Sequence, residues 1–212
     1  MPVRALLFLA IALPILAQDP SDSFLPIGDA NAPAPIADSS GVEPIAKVIK
    51  EDKNFDGEVD LIRYFEDGQL VRVEGDTNHD GAINEWVYYK GGKSFKAEKD
   101  TAGDGKANLF IFYEDDGVAI RSLMADNDGD GKLDEWMTYD KGKVVKSERD
   151  ANGDGVRDRS SFYDAEGKLT KTETDTNHDG TADQWVSYKD GKPSEASKDN
   201  NGDGKPDQWF SY

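Results

Sequence analysis

Cysteine is absent from all 212 residues. That excludes a disulfide framework and a thiolate nucleophile. Histidine occurs only twice, as His79 and His178, each at the fourth place of an Asp-Thr-Asn-His-Asp-Gly loop, where it reads as loop surface. Positive charge is scarce: 25 bases stand against 43 acids, for a net charge of −18. Nucleic acid is excluded as a partner, because its phosphates would be repelled. Apolar residues make up 36% of the chain, little for a compact domain of this length. No serine sits in a hydrolase elbow, and carboxylate pairs are too common to single out a glycosidase site. The chain therefore reads as non-enzymatic.

Met1 to Ala17 has the form of a secretory signal peptide. Arg4 is the positive n-region, Ala5 to Leu16 is almost wholly apolar, and Ala17 is a small residue at the cut. The apolar run is too short to span a bilayer well, and no later segment is a transmembrane candidate. No cysteine follows for a lipid anchor, so a secreted or cell-surface protein is expected. Residues 18–48 form a proline-rich tail with Pro20, Pro26, Pro33, Pro35 and Pro44. This composition suits an extended segment and opposes helix. Apolar residues along it, such as Phe24, Ile27, Ile36 and Ile45, allow it to add to a sheet edge in this molecule or a neighbour.

Residues 49–212 are periodic. An acidic nonapeptide begins at Asp52, Asp76, Asp100, Asp126, Asp150, Asp175 and Asp199, at intervals of 24, 24, 26, 24, 25 and 24 residues. Oxygen-bearing side chains recur at its first, third, fifth and ninth places, glycine stands sixth, and the seventh offers a backbone carbonyl. A hard cation such as Ca²⁺ asks for this arrangement of oxygens around a tight turn. The candidate ligands in the first loop are Asp52, Asn54, Asp56, Glu58 (carbonyl) and Asp60. In the second they are Asp76, Asn78, Asp80, Ala82 (carbonyl) and Asn84. The third offers Asp100, Asp104, Lys106 (carbonyl) and Asn108, with Ala102 in place of a ligand, and should bind weakest. The fourth offers Asp126, Asp128, Asp130, Lys132 (carbonyl) and Asp134, and with four carboxylates should bind most tightly. The fifth has Asp150, Asn152, Asp154, Val156 (carbonyl) and Asp158. The sixth has Asp175, Asn177, Asp179, Thr181 (carbonyl) and Asp183, and the seventh Asp199, Asn201, Asp203, Lys205 (carbonyl) and Asp207. Up to seven Ca²⁺ ions would fit. The competing explanation is Asx-turn chemistry, in which Asp and Asn cap turns without metal. Glu74, Glu98, Glu148 and Glu173 stand two residues before their loops, where they would either supply a missing ligand or line a solvated strand face.

Over its nine residues the loop resembles the Ca²⁺ loops of EF-hands, dockerins and thrombospondin type 3 repeats. The twelfth place, where an EF-hand carries a bidentate glutamate, holds Arg63, Val87, Ile111, Met137, Ser161, Val186 and Phe210 instead. The resemblance thus implies metal binding and not EF-hand folding. The whole repeat also resembles those of secreted bacterial proteins with Asp-x-Asn-x-Asp-Gly units, a likeness that implies no chemistry.

Each loop is followed by an aromatic and β-branched run, such as Glu85-Trp86-Val87-Tyr88-Tyr89, then a glycine turn and a second run. The fold expected is an all-β antiparallel meander of seven ~24-residue repeats, with every acidic loop along one edge. Trp86, Trp136 and Trp185 recur in alternate repeats, which suggests a unit of about 49 residues in four strands. Apolar residues on both faces of the aromatic strands point to two covered faces. An elongated two-layer sheet and a solenoid both remain open.

The expected role is a Ca²⁺-binding structural or surface protein. One specific form is a filament or matrix subunit, self-associating through sheet edges or the N-terminal tail. Its motivation is the apolar tail together with a last repeat that stops at Tyr212, after one strand. The alternative is a polysaccharide-binding module with the tryptophans as platform.

Overall fold

The computed structural model describes residues 47–212. The signal peptide and nearly all of the proline-rich tail lie outside the described residues. Fourteen strands follow one another in chain order: β1 (Lys47–Glu51), β2 (Leu61–Glu66), β3 (Gln69–Gly75), β4 (Glu85–Lys90), β5 (Lys93–Lys99), β6 (Leu109–Tyr113), β7 (Ile120–Ala125), β8 (Glu135–Asp140), β9 (Lys143–Arg149), β10 (Arg159–Tyr163), β11 (Leu169–Thr174), β12 (Gln184–Lys189), β13 (Lys192–Lys198) and β14 (Gln208–Ser211). They form one antiparallel sheet in the order β1 to β14, an open meander. The first strand starts at Lys47, two residues inside the segment assigned to the tail.

Two kinds of connection alternate, so the acidic loops share one edge of the sheet and the short hairpins the other. Four hairpins are two-residue turns with both residues at positive φ: Asp67-Gly68, Gly91-Gly92, Lys141-Gly142 and Asp190-Gly191. This backbone matches the right-handed twist of the flanking strands, and glycine at the second place adopts it without strain. The two longer turns lie between β6 and β7 and between β10 and β11, where Glu114 pairs with Ala119 and Asp164 with Lys168. These turns belong to the two repeats of irregular length. The nonapeptide loops keep one length, and every insertion falls on the hairpin edge.

Each hairpin also carries a bulge at the same place. Tyr64 faces Arg72 but Phe65 faces Leu70, so Val71 is an extra residue. The same slip leaves Phe95, Arg121, Val145, Thr170 and Ser194 unpaired in the later hairpins. An extra residue resets the alternation of side chains along its strand.

The registers sort the side chains onto two faces, since directly opposite residues point to the same side. All eight buried apolar residues lie on one face: Leu61, Val73, Ala97, Leu109, Ile111, Ala125, Met137 and Ala196. Tyr89, Tyr113 and Tyr139 line the hairpin side of that face, where burial pushes the Tyr113 hydroxyl up to about 12. The opposite face carries the tryptophans and a ladder of cations and aromatic rings. Arg72 lies 5.1 Å from the Tyr64 ring and 5.9 Å from Tyr88. Lys96 touches Tyr88 and Phe112, and both Lys146 and Lys171 touch Phe162.

This arrangement corrects the expectation of two covered faces. Among the described residues there is one sheet, and no large side chain is fully buried, as one held between two layers would be. Every pairing is antiparallel, whereas the coils of a β-solenoid stack in parallel. On the tryptophan face Arg and Lys cations stand over the aromatic rings, among them Arg72 over Tyr64 and Lys146 over Phe162, and among the described residues no second layer lies there.

Candidate metal-binding loops

Seven loops of one construction close the acidic edge. In each, the N–H of the ninth residue donates to the carbonyl of the residue just before the loop, as Asp134 does to Ala125 at 2.9 Å. The first-place aspartate folds over its own loop. Oδ1 of Asp126 accepts the N–H of Gly129 at 2.7 Å, and Oδ2 that of Gly131 at 2.9 Å. Asp52, Asp76, Asp100, Asp150, Asp175 and Asp199 hold their fourth and sixth N–H groups likewise. The fifth-place carboxylates of Asp56, Asp80, Asp104, Asp130, Asp154, Asp179 and Asp203 each accept the N–H of the seventh residue.

The ninth-place side chains Asp60, Asn84, Asn108, Asp134, Asp158, Asp183 and Asp207 each accept the N–H of the second residue. They are thus engaged as loop-closing caps. The Asx-turn chemistry is present in full, and it alone accounts for the conserved spacing of Asp and Gly within one loop.

The electrostatics of the first-place carboxyls follow from this geometry. Burial pushes Asp100, Asp150 and Asp199 up, but the loop N–H groups outweigh it and hold all three below the ordinary aspartate value. The loop itself shields these carboxyls from solvent, though little other protein surrounds them.

The third place separates one loop from the rest. Asn54, Asn78, Asn152 and Asn177 each turn their amide Nδ2 to the fifth-place carboxylate, at 2.8 to 3.0 Å. The amide bridges two acids without an ion. Asp128 has no N–H to give. One carboxylate oxygen from each of Asp126, Asp128 and Asp130 lies within 4.8 Å of the other two. Oxygens bound to one Ca²⁺ at 2.3–2.6 Å stand no more than about 5 Å apart, so the three fit a single ion. Asp134 lies outside this group, with both oxygens bonded to Asn127. The loop at Asp100 lacks a third-place oxygen, and the N–H of Ala102 joins those already held by Asp100.

Successive loops are bonded to each other. The N–H of each first-place aspartate from Asp76 to Asp199 donates to the carbonyl of the preceding loop's ninth residue, at 2.7 to 2.9 Å. The histidines extend this contact while staying exposed at the loop surface, as expected. His79 Nδ1 lies 2.8 Å from Asp60 Oδ1, and His178 Nδ1 lies 2.6 Å from Asp158 Oδ1. Asn54 and Asn152 contact the same ring nitrogens. The hydrogen bonds that His79 and His178 donate to Asp60 and Asp158 hold both imidazoles above the usual histidine range. The fourth place is glycine in four loops, and its φ is positive in the other three as well, 64° at Phe55, 58° at His79 and 59° at His178. Histidine tolerates this conformation better than most side chains, and Phe55 adopts it without a comparable contact, 90% exposed.

Glu74, Glu98, Glu148 and Glu173 do not reach into the loops. They lie on the tryptophan face, paired with Arg72, Lys96, Lys146 and Lys171. Tyr64 and Tyr88 donate to Glu74 and Glu98 at 2.6 and 2.8 Å. Trp86, Trp136 and Trp185 share a row on that face with these glutamates beside them, and Arg157 lies 4.7 Å from the Trp136 ring.

No protein-family model matches this chain, and no curated protein matches it.

Proposed function

We propose that this is a secreted, non-enzymatic, Ca²⁺-binding β-repeat protein with a structural role at the cell surface or in an extracellular matrix. The observation that carries it is the meeting of Asp126, Asp128 and Asp130 within 4.8 Å, in one of seven loops that repeat along a single edge. Neighbouring loops are two strands apart, about 10 Å, so their charges act on one another. Ca²⁺ would neutralise them and stabilise the folded sheet over the unfolded chain, which presents no such grouping. The loop at Asp126 would bind first and that at Asp100 last or not at all. Titration calorimetry, with thermal melts in Ca²⁺ and in chelator, tests this. Absence of binding heat together with equal melting curves would refute it.

A second reading rests on the row of Trp86, Trp136, Trp185 and Trp209 on one face, with Trp209 70% exposed. Aromatic rings on a sheet can stack on sugars. Polysaccharide binding that is lost in Trp→Ala variants, and kept in chelator, would favour it.

A further inference from the structure

We propose that copies of this chain join head to tail, with β14 of one copy pairing antiparallel with β1 of the next so that the meander continues in register. This rests on the structural role proposed above and names the partner as a second copy. Among the described residues β14 is bonded only to β13, and β1 only to β2. β14 nevertheless has the sequence of an interior strand: Gln208-Trp209-Phe210-Ser211-Tyr212 against Gln184-Trp185-Val186-Ser187-Tyr188 of β12. In β12 these residues lie between two strands. In β14, Trp209 is 70%, Phe210 44% and Tyr212 79% exposed. The strand carries no lysine, proline or bulge of the kind that blunts a free edge.

The two edges are in phase. Odd-numbered strands lead into acidic loops and even-numbered strands lead out of them. A sheet that runs from β1 to β14 therefore meets its next copy as even against odd, the relation of β12 to β13. Transferring the β12–β13 register sets Gln208 opposite Glu51, Trp209 opposite Lys50, Phe210 opposite Ile49 and Ser211 opposite Val48 of the next copy. Phe210 and Ile49 then meet on the apolar face. Trp209 meets Lys50 on the other, continuing the alternation of rings and cations there.

The loop edge agrees. Every internal loop donates its first N–H to the ninth carbonyl of the loop before it. Among the described residues, only the N–H of Asp52 and the carbonyl of Asp207 lack that rung, and the junction brings these two together. Each added copy would extend the sheet by about 67 Å, from 14 strands at ~4.8 Å spacing.

The test uses the full chain carrying Ile49→Cys and Phe210→Cys. The natural sequence has no cysteine, so a short bismaleimide reacts only at these sites. A ladder of cross-linked multiples is expected from the double variant, and a dimer from a mixture of the two single variants. A control at Phe55, 90% exposed in the first loop, should give no ladder. Phe210→Lys placed beside Ile49→Cys should leave the single chain folded with an unchanged circular dichroism spectrum, while particle images and sedimentation lose the assembly. Monomers alone would overturn the proposal. So would cross-linking of Phe210→Cys only to itself, or a ladder that disappears when residues 18–46 are deleted. Every arm is run in Ca²⁺ and in chelator. A ladder that survives chelation supports the junction and removes only the Ca²⁺ requirement.

Discussion

Asp128→Asn should act in opposite directions with and without Ca²⁺. Asp128 and its partners Asp126 and Asp130 place three carboxylate oxygens within 4.8 Å. Two unit charges at 4.8 Å repel by about 0.9 kcal/mol in the dielectric of water, and Asp128 faces two such neighbours, a gross repulsion of about 1.7 kcal/mol that salt screening at an exposed loop reduces toward about 1. Asparagine removes that repulsion. It also supplies an Nδ2–H for Asp130, as Asn54, Asn78, Asn152 and Asn177 do for their fifth-place carboxylates. In chelator the variant should therefore be more stable by about 1 kcal/mol, or about 2–4 °C in melting midpoint for a chain of this size. In Ca²⁺ the order should reverse, because the variant has one charged ligand fewer. At a free Ca²⁺ of 100 times Kd the wild-type loop would contribute about 2.7 kcal/mol, more than the repulsion it carries when empty. Paired melts in Ca²⁺ and in chelator read both signs, with calorimetry for the affinity. A variant less stable than wild type in chelator would refute the repulsion. An equal Ca²⁺ response from both proteins would refute the site.

Two further outcomes follow from the fold. Ile111, 3% exposed, lies in the thin apolar face. Ile111→Ala should cost about 2 kcal/mol, the low end for a core aliphatic because so little surrounds it, whereas Phe55→Ala at a 90% exposed site should leave the melt unchanged. The histidine bridges should make stability depend on pH near neutrality. Hydrogen bonds to Asp60 and Asp158 raise both imidazoles above the ordinary value of 6.5. Their contribution is then complete below pH 6.5 and is lost as pH rises through the raised folded-state values. In chelator, a His79→Gln/His178→Gln double variant should melt at a more nearly constant temperature across that window. An unchanged profile would show that the bridges carry no stability.

The order of strands, the placing of the acidic loops on one edge and the glycine hairpins on the other were all legible from the period. Strand, turn, strand, loop leaves little choice once it is repeated six times. Even the intervals carried information, since the two long repeats lengthened hairpins and left the loops alone. The face assignment was not legible. Strict alternation along Leu70-Val71-Arg72-Val73 puts Leu70 on the same face as Arg72. The bulge at Val71 instead sets Leu70 beside Phe65, on the face of Val73. Six such bulges make both faces look partly apolar when the strands are read as regular, and the two-layer expectation came from that. A bulge is written in backbone geometry and leaves only a weak mark on residue types.

The loops show the same division between composition and context. Which side chains carry oxygens was readable from one repeat, but what each does depends on its neighbours. The ninth-place residue caps the second N–H, four of the five third-place asparagines bridge to the fifth-place acid, and each first-place N–H from Asp76 on bonds the loop before. In the loops of Asn54, Asn78, Asn152 and Asn177 the fifth-place acid already has an amide partner within its own loop. The loop whose third place is aspartate leaves three carboxylates facing each other. The seven copies are therefore not seven equal sites. The sheet holds them in register regardless of charge, and the single change from asparagine to aspartate at position 128 turns a self-satisfied turn into one that a cation would complete. Binding that proved equal at all seven loops would mean that the backbone carbonyls and water, and not the third-place side chain, decide where the ions go.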